Sequence, residues 1–264
     1  MKTLHIMAHK LLFVSSLLTK RIAVQHHVRV GRFLTGLLPW IIFNLNTDEF
    51  HTLPHIGHTV SNGVGRDELA AHIAMEKGWR GPSMTVTTAC SSGGDAIGLA
   101  CMILRSGTVD AVLAVGTESA LSPIFILGLA SAHALSTRND APAAASRPFD
   151  ANRDGFVMGE GAGVLVLEEL EHAQKRGAKI YAEVAGYGMS SDAHHITAPN
   201  AEGPALAMKR ALNDAGLNPS DIDYINAHGT GTPNNDASEA TAIRSIWTSD
   251  VPTFSSTKAF TGHT

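Results

Sequence analysis

The chain has 264 residues and is 44% hydrophobic, which is long and apolar enough to bury the core of one large domain or of two ordinary ones. Its net charge of −4 argues against nucleic acid as a partner. Only 6% of the residues are aromatic, whereas Gly and Ala are plentiful, and this balance favours closely packed α/β layers over an aromatic-rich β-sandwich.

A membrane-spanning helix is not predicted. The apolar run Leu11–Leu18 is shorter than the roughly 20 residues that a spanning helix needs. A second apolar run, Phe33–Phe43, is interrupted by Gly36 and Pro39. We therefore expect a protein that is not integral to a membrane.

Residues 1–47 differ in charge from the rest of the chain. They carry six Lys or Arg and no Asp or Glu, so all 24 acidic residues lie further along. Three origins stay open for such a segment: a transit peptide, a secretory signal, or sequence foreign to the domain. We leave residues 1–65 unassigned and predict one domain over residues 66–264. The expected location is the cytoplasm, or an organelle if residues 1–47 are a transit peptide.

The first 60 residues also hold seven of the fourteen histidines. His51, His55 and His58 suggest a metal site, but Pro54 and Gly57 break the helical spacing and no Cys or acidic ligand joins them. We interpret them as surface histidines and predict no metal site.

From residue 66 onward, segments of helical periodicity alternate with short β-prone runs. The predicted helices are 67–77, 91–104, 168–176 and 202–215, and the predicted strands are 84–88, 110–115, 161–167, 180–187 and 222–227. Gly78 and Gly216 follow two of the helices at positions typical of a helix C-cap. Strands that alternate with helices predict an α/β layered domain.

The strongest local signal is the run Thr87–Gly94, TTACSSGG, where a short strand turns into a buried helix with Cys90 at the junction. A thiol at a helix N-terminus meets backbone N–H groups and the positive end of the helix dipole, which favour the thiolate and can hold an oxyanion. A lone cysteine is more often an inert core residue, and that interpretation stays for Cys101, which lies among apolar neighbours. The two cysteines form no CxxC motif, so neither a disulfide framework nor a thiolate metal site is indicated.

Two further segments carry polar groups suited to chemistry. The run Asn226–Pro233, NAHGTGTP, is a strand that leads into a loop able to present the His228 imidazole and two hydroxyls to a ligand. The run Ser255–His263, SSTKAFTGH, places Lys258 and His263 on either side of a turn. Each segment alone is a weak signal, because a histidine at a strand end is more often structural.

Together and in this order, the three segments resemble the Cys, first His, and Lys plus second His segments of the β-ketoacyl-acyl-carrier-protein synthases, particularly the type II elongation enzymes. The sequence around and between them resembles the family as well, in the runs RGPS (80–83), ALSTRND (134–140), SRPFD (146–150), RDGFVMGEGAG (153–163) and GMSSD (188–192). The resemblance implies a thiolase-like layered fold, α-β-α-β-α, that is partial here. Its N-terminal half would reach to about residue 179 and its C-terminal half would start at about 180.

The resemblance also implies a mechanism. Cys90 would be the nucleophile that accepts an acyl chain from the phosphopantetheine arm of acyl carrier protein. His228 and His263 would promote decarboxylation of malonyl carrier protein and donate hydrogen bonds to the thioester oxygen, with Lys258 as an electrostatic support. Thr230 and Thr232 would bind the pantetheine amides as substrate-binding residues.

The implied reaction is fatty-acid chain elongation by an acyltransferase that works as a homodimer and needs no metal or redox cofactor. The GEGAG run is therefore interpreted as tight packing around a strand rather than as a phosphate loop.

The sequence also departs from the family pattern. The matched region stops at Thr264, before the family's Gly-rich gating loop, and residues 1–65 do not resemble the family's N-terminal strands. His133 stands where the family pattern suggests an Arg that contacts carrier protein, so docking is expected to be weaker or differently arranged. We expect a partial domain with exposed sheet edges that is poorly soluble or inactive unless other sequence completes it.

Five alternatives stay open. A ketosynthase of a polyketide pathway fits the same motifs, and so does a catalytically incompetent synthase fragment. A non-catalytic chain-length partner is disfavoured because Cys90 is present, and a thiolase because the His228 and His263 segments differ from its own. A Cys-His hydrolase fits the spacing of Cys90 and His228 but lacks the papain-type signature around the cysteine.

Overall fold

A computed structural model of the chain describes residues 22–29, 56–62, 68–195 and 198–264. The targeting interpretation of residues 1–47 and the metal interpretation of His51, His55 and His58 depend on residues and side chains outside this description. Among the described helices, none is long and apolar enough to cross a membrane.

The described elements alternate between strands and helices along most of the chain. In chain order they are β1 (Ile22–Arg29), β2 (Ile56–Asn62), α1 (Glu68–Lys77), β3 (Ser83–Val86), α2 (Ser92–Arg105), β4 (Ala111–Glu118), α3 (Pro123–Ser131), β5 (Gly161–Glu169), α4 (Leu170–Lys175), β6 (Ala182–Val184), α5 (Glu202–Ala215), β7 (Tyr224–Asn226), α6 (Pro233–Ile246), β8 (Thr253–Ser255) and α7 (Lys258–Thr261).

The chain divides into two compact units. Among the described residues, the sheet unit comprises 22–29, 56–62, 68–118 and 161–183, and the histidine unit comprises 119–160, 184–195 and 198–264. The predicted domain boundaries near residues 65 and 179 stay predictions.

The sheet unit is built on a mixed sheet with the strand order β3-β2-β4-β5-β1-β6. Strand β2 pairs in parallel with β3 and β4, and β5 pairs antiparallel with β4 and β1. Five consecutive residues of β4, Ala111–Val115, are buried, which shows that both faces of this central strand are covered. Three of them pack in one cluster with Ala70 of α1, and α2 packs on β2 and β4.

The predicted elements of the sheet unit are largely present. Helices α1 and α2 begin and end within one residue of their predicted bounds, and Gly78 follows α1 with the positive φ of +66° that a C-cap needs. Strands β1 and β2 fall in residues that the sequence analysis left unassigned. The strand predicted over 180–187 is shorter and covers only Ala182–Val184.

The helix predicted over residues 168–176 begins later than expected. Strand β5 continues through Glu169, so α4 starts at Leu170. The reason is that Glu168 is fully buried and is paired with Arg176, whose Nε lies 2.9 Å from its Oε1, and with His172. A buried carboxylate with such partners can occupy a strand, whereas its charge alone suggested an exposed helix start.

The histidine unit contains α3, α5, α6, α7 and a parallel pair of strands, β7 and β8. Leu212, Ile243 and Trp247 form its core between α5 and α6, and the Trp247 indole donates a hydrogen bond of 2.7 Å to the carbonyl of Pro219. Helix α5 matches its predicted bounds, and Gly216 follows it in the left-handed conformation. The strand predicted over 222–227 is shortened to Tyr224–Asn226.

Three helices of this unit were not predicted, and one of them is the short α7, which forms the turn expected between Lys258 and His263. Helix α3 consists almost entirely of apolar residues and therefore shows no helical periodicity, and none of its residues is buried. Helix α6 begins with Pro233, which was predicted to be the last residue of the His228 loop, and three polar residues follow it. Proline is well suited to the first turn of a helix because its N–H would have no partner there. Since β7 and β8 are the two strands of this sheet in the described residues, each has an edge without a neighbouring strand.

Candidate active site

Cys90 lies where the sequence placed it, between the end of β3 and the start of α2. The Cys90 residue is exposed and Cys101 is buried, as predicted, and neither forms a disulfide. The preceding residue, Ala89, has a φ of +52°, a left-handed conformation that costs an L-residue about 1 to 2 kcal/mol. The turn must therefore be held by other interactions.

Those interactions come from hydroxyl groups on both sides of the cysteine. The Thr88 and Ser91 hydroxyls donate to Oδ2 of Asp95 over 2.5 and 2.9 Å. The Ser92 hydroxyl accepts from the Thr88 N–H over 2.8 Å and donates to the Ala89 carbonyl over 2.7 Å. The residues around Cys90 thus hold the abrupt passage from strand to helix. The sequence analysis missed this role of Thr88, Ser91, Ser92 and Asp95.

In the histidine unit, three predicted site residues lie together. The rings of His228, which follows β7, and His263, which follows α7, have centroids 5.4 Å apart and are nearly perpendicular. The Lys258 ammonium donates a hydrogen bond of 2.8 Å to the main-chain carbonyl of His228. We call these three residues the histidine cluster.

The main chain of His263 is clamped to residues 157–159. Its N–H donates to the Val157 carbonyl and its carbonyl accepts from the Gly159 N–H, each over 2.7 Å. A Cβ on Gly159 would lie 2.5 Å from the Thr261 carbonyl oxygen, so only glycine fits there. The close approach concerns Gly159 and not Gly163, where a Cβ would meet nothing within 4 Å, so the interpretation of the GEGAG run as tight packing around a strand stays a prediction.

Both imidazoles of the cluster are neutral near pH 7. Burial, reinforced by the Lys258 ammonium and by His263, lowers the pKa of His228 to about 3. Burial and the Lys258 ammonium also lower the pKa of His263. A neutral imidazole carries one N–H donor and one acceptor nitrogen, so each ring can donate only one hydrogen bond.

The tautomer of His263 bears on its predicted role as a donor. Its Nδ1 lies 3.0 Å from the carbonyl oxygen of Thr264. A carbonyl can only accept, so this contact requires the proton on Nδ1 and leaves Nε2 as an acceptor. Donation from Nε2 of His263 requires the other tautomer and the loss of this contact.

A buried carboxylate on α6 holds the His228 loop. Glu239 accepts from the N–H groups of His228 and Gly229 over 2.6 and 2.8 Å, one on each oxygen. On the other side, the carbonyl of His228 accepts from Lys258 and from the Ser256 hydroxyl. Burial raises the pKa of Glu239, against the opposing effect of the two N–H groups. The main chain of His228 is thus fixed at both its N–H and its carbonyl.

A second carboxylate of α6 lies one turn before Glu239. Asp236 is only 1% exposed and accepts from the N–H groups of Gly231 and Phe149, the latter over 2.7 Å. Arg153 pairs with it at 3.6 Å. The sequence analysis did not single out these two acids, although a pair spaced three residues apart directly after the His228 loop was the available signal.

Thr230 and Thr232, the predicted pantetheine-binding residues, lie in the same loop. Their hydroxyl oxygens are 2.8 Å apart, and Thr230 is buried. Their substrate-binding role stays a prediction, as do the catalytic roles of Cys90 and of the histidine cluster.

Acidification is expected to destabilise the protein in part through His228. An imidazole in the unfolded chain binds its proton near the model value of 6.5, whereas folding lowers the pKa of His228 to about 3. Between these values the unfolded state binds more protons, so the free energy of unfolding falls as the pH falls. The slope from this one group is at most about 1.4 kcal/mol per pH unit. Urea denaturation at several pH values across this range measures it.

The variant His228→Asn tests this expectation, since it removes the titrating ring and should make the slope shallower. His72, an exposed histidine on α1, offers the matched control His72→Asn, which should keep the steeper slope. Parallel curves for the wild type and His228→Asn would contradict a neutral, buried His228.

Comparison with known proteins identifies the family. Residues 45–173 match the family model "Beta-ketoacyl synthase, N-terminal domain", and residues 181–264 match "Beta-ketoacyl synthase, C-terminal domain". The chain belongs to the β-ketoacyl synthase family. The two matches together cover well over half of the chain, and the first begins about twenty residues before the predicted start of the domain at residue 66.

Among similar proteins, the mitochondrial 3-oxoacyl-[acyl-carrier-protein] synthase of Arabidopsis thaliana is 52% identical over 201 residues, covering 74% of this chain and 44% of that protein. The 3-oxoacyl-[acyl-carrier-protein] synthase 2 of Coxiella burnetii is 50% identical over 240 residues, covering 89% and 58%. The chain thus spans about half the length of the curated relatives it matches.

Solved structures agree on the fold. A complex of a type II polyketide synthase acyl-carrier protein with its ketosynthase bound to a hexaketide matches with a TM-score of 0.79 at 31% identity, over 83% of this chain and 63% of that one. A β-ketoacyl synthase from Burkholderia phymatum matches with a TM-score of 0.71 at 36% identity, over 81% and 59%. The predicted β-ketoacyl synthase resemblance and the predicted thiolase-like α/β fold, as a partial chain, are confirmed.

Proposed function

We propose that the protein is a β-ketoacyl-acyl-carrier-protein synthase that extends an acyl chain by decarboxylative Claisen condensation. The observation that carries this proposal is the neutral, half-buried pair of His228 and His263, whose geometry is set by Lys258 and Glu239. A neutral imidazole in a desolvated position can donate one hydrogen bond to an enolate oxygen, and the exclusion of water strengthens that bond. Relatives about 50% identical carry the name 3-oxoacyl-[acyl-carrier-protein] synthase, which supports the same activity.

The first half-reaction is acyl transfer to Cys90. Its thiolate attacks the thioester of an acyl carrier protein, an S–C bond forms to the acyl carbonyl, and the phosphopantetheine thiol leaves. The exposure of Cys90 and its place before α2 support this role, because the helix N-terminus favours the thiolate.

The second half-reaction is condensation. The malonyl thioester loses its carboxyl group as CO2, and His228 donates a hydrogen bond to the oxygen of the resulting enolate, as does His263 once its proton lies on Nε2. The enolate carbon then forms a bond to the acyl carbonyl and the Cys90 thiolate leaves, so that the product is a β-ketoacyl chain two carbons longer. Loss of CO2 supplies the driving force, and the proposed reaction requires no metal or redox cofactor.

Acyl carrier protein is the proposed partner, and Thr230 and Thr232 are proposed to bind the amides of its pantetheine arm. The similar ketosynthase solved in a complex with its acyl-carrier protein supports this partner. His133, in the left-handed conformation with a φ of +53°, is exposed where docking was expected to differ from the family pattern. We further propose a homodimer in the cytoplasm; a relative with a mitochondrial name supports an organelle as the alternative location.

A ketosynthase of a polyketide pathway is the second candidate function. The structural neighbour bound to a hexaketide favours it, with a TM-score of 0.79. Sequence similarity favours fatty-acid elongation, because that neighbour is 31% identical, whereas proteins named 3-oxoacyl-[acyl-carrier-protein] synthase reach about 50%.

One experiment tests the function. The full chain is incubated with acyl carrier protein that carries a radiolabelled acyl group, and malonyl carrier protein is then added. The expected result is label on the protein, followed by its release as a β-ketoacyl product two carbons longer, identified by mass spectrometry. Absence of label on the protein would overturn the proposal, and label without condensation would support an incompetent fragment.

A further inference from the structure

One loop of the histidine unit touches both segments of the histidine cluster and has no role in the reaction proposed above. It comprises residues Ser146–Asp150, SRPFD, and we call it the 146–150 loop. At one end, the Ser146 hydroxyl donates a hydrogen bond of 2.6 Å to the main-chain carbonyl of Lys258, 112 positions further along the chain. The loop is therefore joined directly to the turn that carries Lys258.

At the other end, Phe149 lies against the His228 segment. Its ring carbon Cε2 would be 2.8 Å from a Cβ on Gly229, the residue after His228. The same ring meets the Phe254 ring edge to face, with centroids 5.1 Å apart, and Phe254 belongs to β8, which leads into Lys258. The aromatic ring thus packs against both segments at once.

The main chain of Phe149 is strained in order to hold this position. Its φ of +63° is a left-handed conformation, which is rare for a bulky residue. Its N–H donates to the buried carboxylate of Asp236 over 2.7 Å, and this charge-assisted bond stabilises the strained conformation. Such a strained backbone persists only where contacts with the surrounding structure hold it in place, and strained residues are concentrated at functional sites.

We propose that Ser146 and Phe149 are positioning residues that fix the His228 loop relative to the turn bearing Lys258 and His263. The inference rests on the proposed function, because the geometry they set is that of the decarboxylating histidines. Neither residue acts on substrate itself. Ser146 acts by holding the Lys258 carbonyl. Phe149 acts by packing between Gly229 and Phe254 and so fixing the distance between them.

The rates of the two half-reactions distinguish a positioning role of Phe149 from a general role in folding. Malonyl decarboxylation depends on the histidine cluster, whereas acyl transfer depends on Cys90. Loss of the Phe149 ring is expected to lower the decarboxylation rate about 10- to 100-fold, since a misplacement near 1 Å can cost about a hundredfold. Acyl transfer to Cys90 should change little. A merely structural role would lower both rates by the same factor, through the fraction of folded protein.

The test uses the full chain with two variants and their controls. Phe149→Leu removes the ring, and Phe149→Tyr is the conservative variant that should restore the decarboxylation rate. Ser146→Ala is milder and guards against misfolding. Its matched control is Ser249→Ala, since Ser249 is exposed and its hydroxyl donates to the neighbouring Asp250 carboxylate. Each variant is assayed for malonyl decarboxylation and for acyl transfer.

A second readout does not depend on activity. Titration of the histidine rings by NMR should show the pKa of His228, about 3 in the wild type, rising toward 6.5 in Phe149→Leu as water reaches the loosened loop. If the wild type performs neither half-reaction, the proposed function fails and this titration alone decides the positioning role. An unchanged His228 titration, or equal losses in both half-reactions, would overturn the proposal.

Discussion

Replacement of Cys90 by alanine is expected to abolish covalent labelling of the protein by acyl carrier protein, lowering it by at least about a thousandfold. Alanine retains the Cβ and the backbone of the turn, so the hydrogen bonds of Thr88 and Ser92 around it should stay in place. The variant therefore removes the nucleophile and leaves its surroundings. The measurement is the amount of radiolabel that remains on the protein after gel filtration.

Cys101→Ala is the matched control for this prediction. Its side chain is fully buried in α2 and is not expected to meet carrier protein, so labelling should persist. Removal of a small buried side chain is expected to lower the free energy of unfolding by about 1 kcal/mol, because it leaves a small cavity. Label that remains on Cys90→Ala at the wild-type level would show that another group is the nucleophile.

The variant Glu239→Ala is expected to have the largest effect on stability within the histidine unit. It leaves the N–H groups of His228 and Gly229 without their acceptor in a buried position, and each such loss costs about 1 to 3 kcal/mol. Relief of the carboxylate's own burial, which raises its pKa, offsets part of that cost. We expect the free energy of unfolding to fall by about 2 to 3 kcal/mol, as measured by urea denaturation.

Two further variants define the origin of this effect. Glu239→Gln keeps one carbonyl acceptor but turns an NH2 group toward the second N–H, so its stability should lie between those of the wild type and the alanine variant. Glu171→Ala removes an exposed carboxylate from the first turn of α4 and should change stability by no more than about 0.5 kcal/mol. Equal losses for Glu239→Ala and Glu171→Ala would contradict a clamp at the His228 loop.

Helix α6, which follows the His228 loop in the chain, supplies the carboxylates that hold the loop. Asp236 and Glu239 share one face of α6, and between them they accept the N–H groups of His228, Gly229, Gly231 and Phe149. A loop rich in glycine has much conformational freedom to lose, and buried carboxylates that accept its N–H groups are a strong way to fix it. Burying these two carboxylates costs desolvation free energy, and in return the position of His228 is fixed.

Several features followed from the sequence because they depend on neighbouring residues. The Ser92–Arg105 and Glu202–Ala215 helices were recognised from periodicity and from the glycine after the second, since both signals are local. The buried β4 was recognised from its uninterrupted apolar run. The site residues Cys90, His228, Lys258 and His263 were recognised from the resemblance of short motifs, each of which needs no knowledge of the fold.

Other features were decided only by side-chain contacts that form in the folded protein. Glu168 lies in a strand rather than in a helix because its buried carboxylate forms an ion pair with Arg176 and a hydrogen bond with His172. Phe149 has a left-handed main chain because Asp236, 87 positions away, accepts its N–H. No periodicity signals either pairing. Propensity is a weak preference of a few tenths to one kcal/mol, which a buried ion pair or a charge-assisted hydrogen bond overrides.

The sequence by itself determined the family, the order of most strands and helices in residues 68–264, and the identity of the candidate nucleophile and histidines. The tertiary structure alone decided that Glu239 holds the His228 main chain, that Asp236 holds Gly231 in the same loop, and that both imidazoles are neutral. The physical reason is that hydrogen-bond partners and desolvation arise from groups far apart in the chain, and no local pattern of residues encodes them.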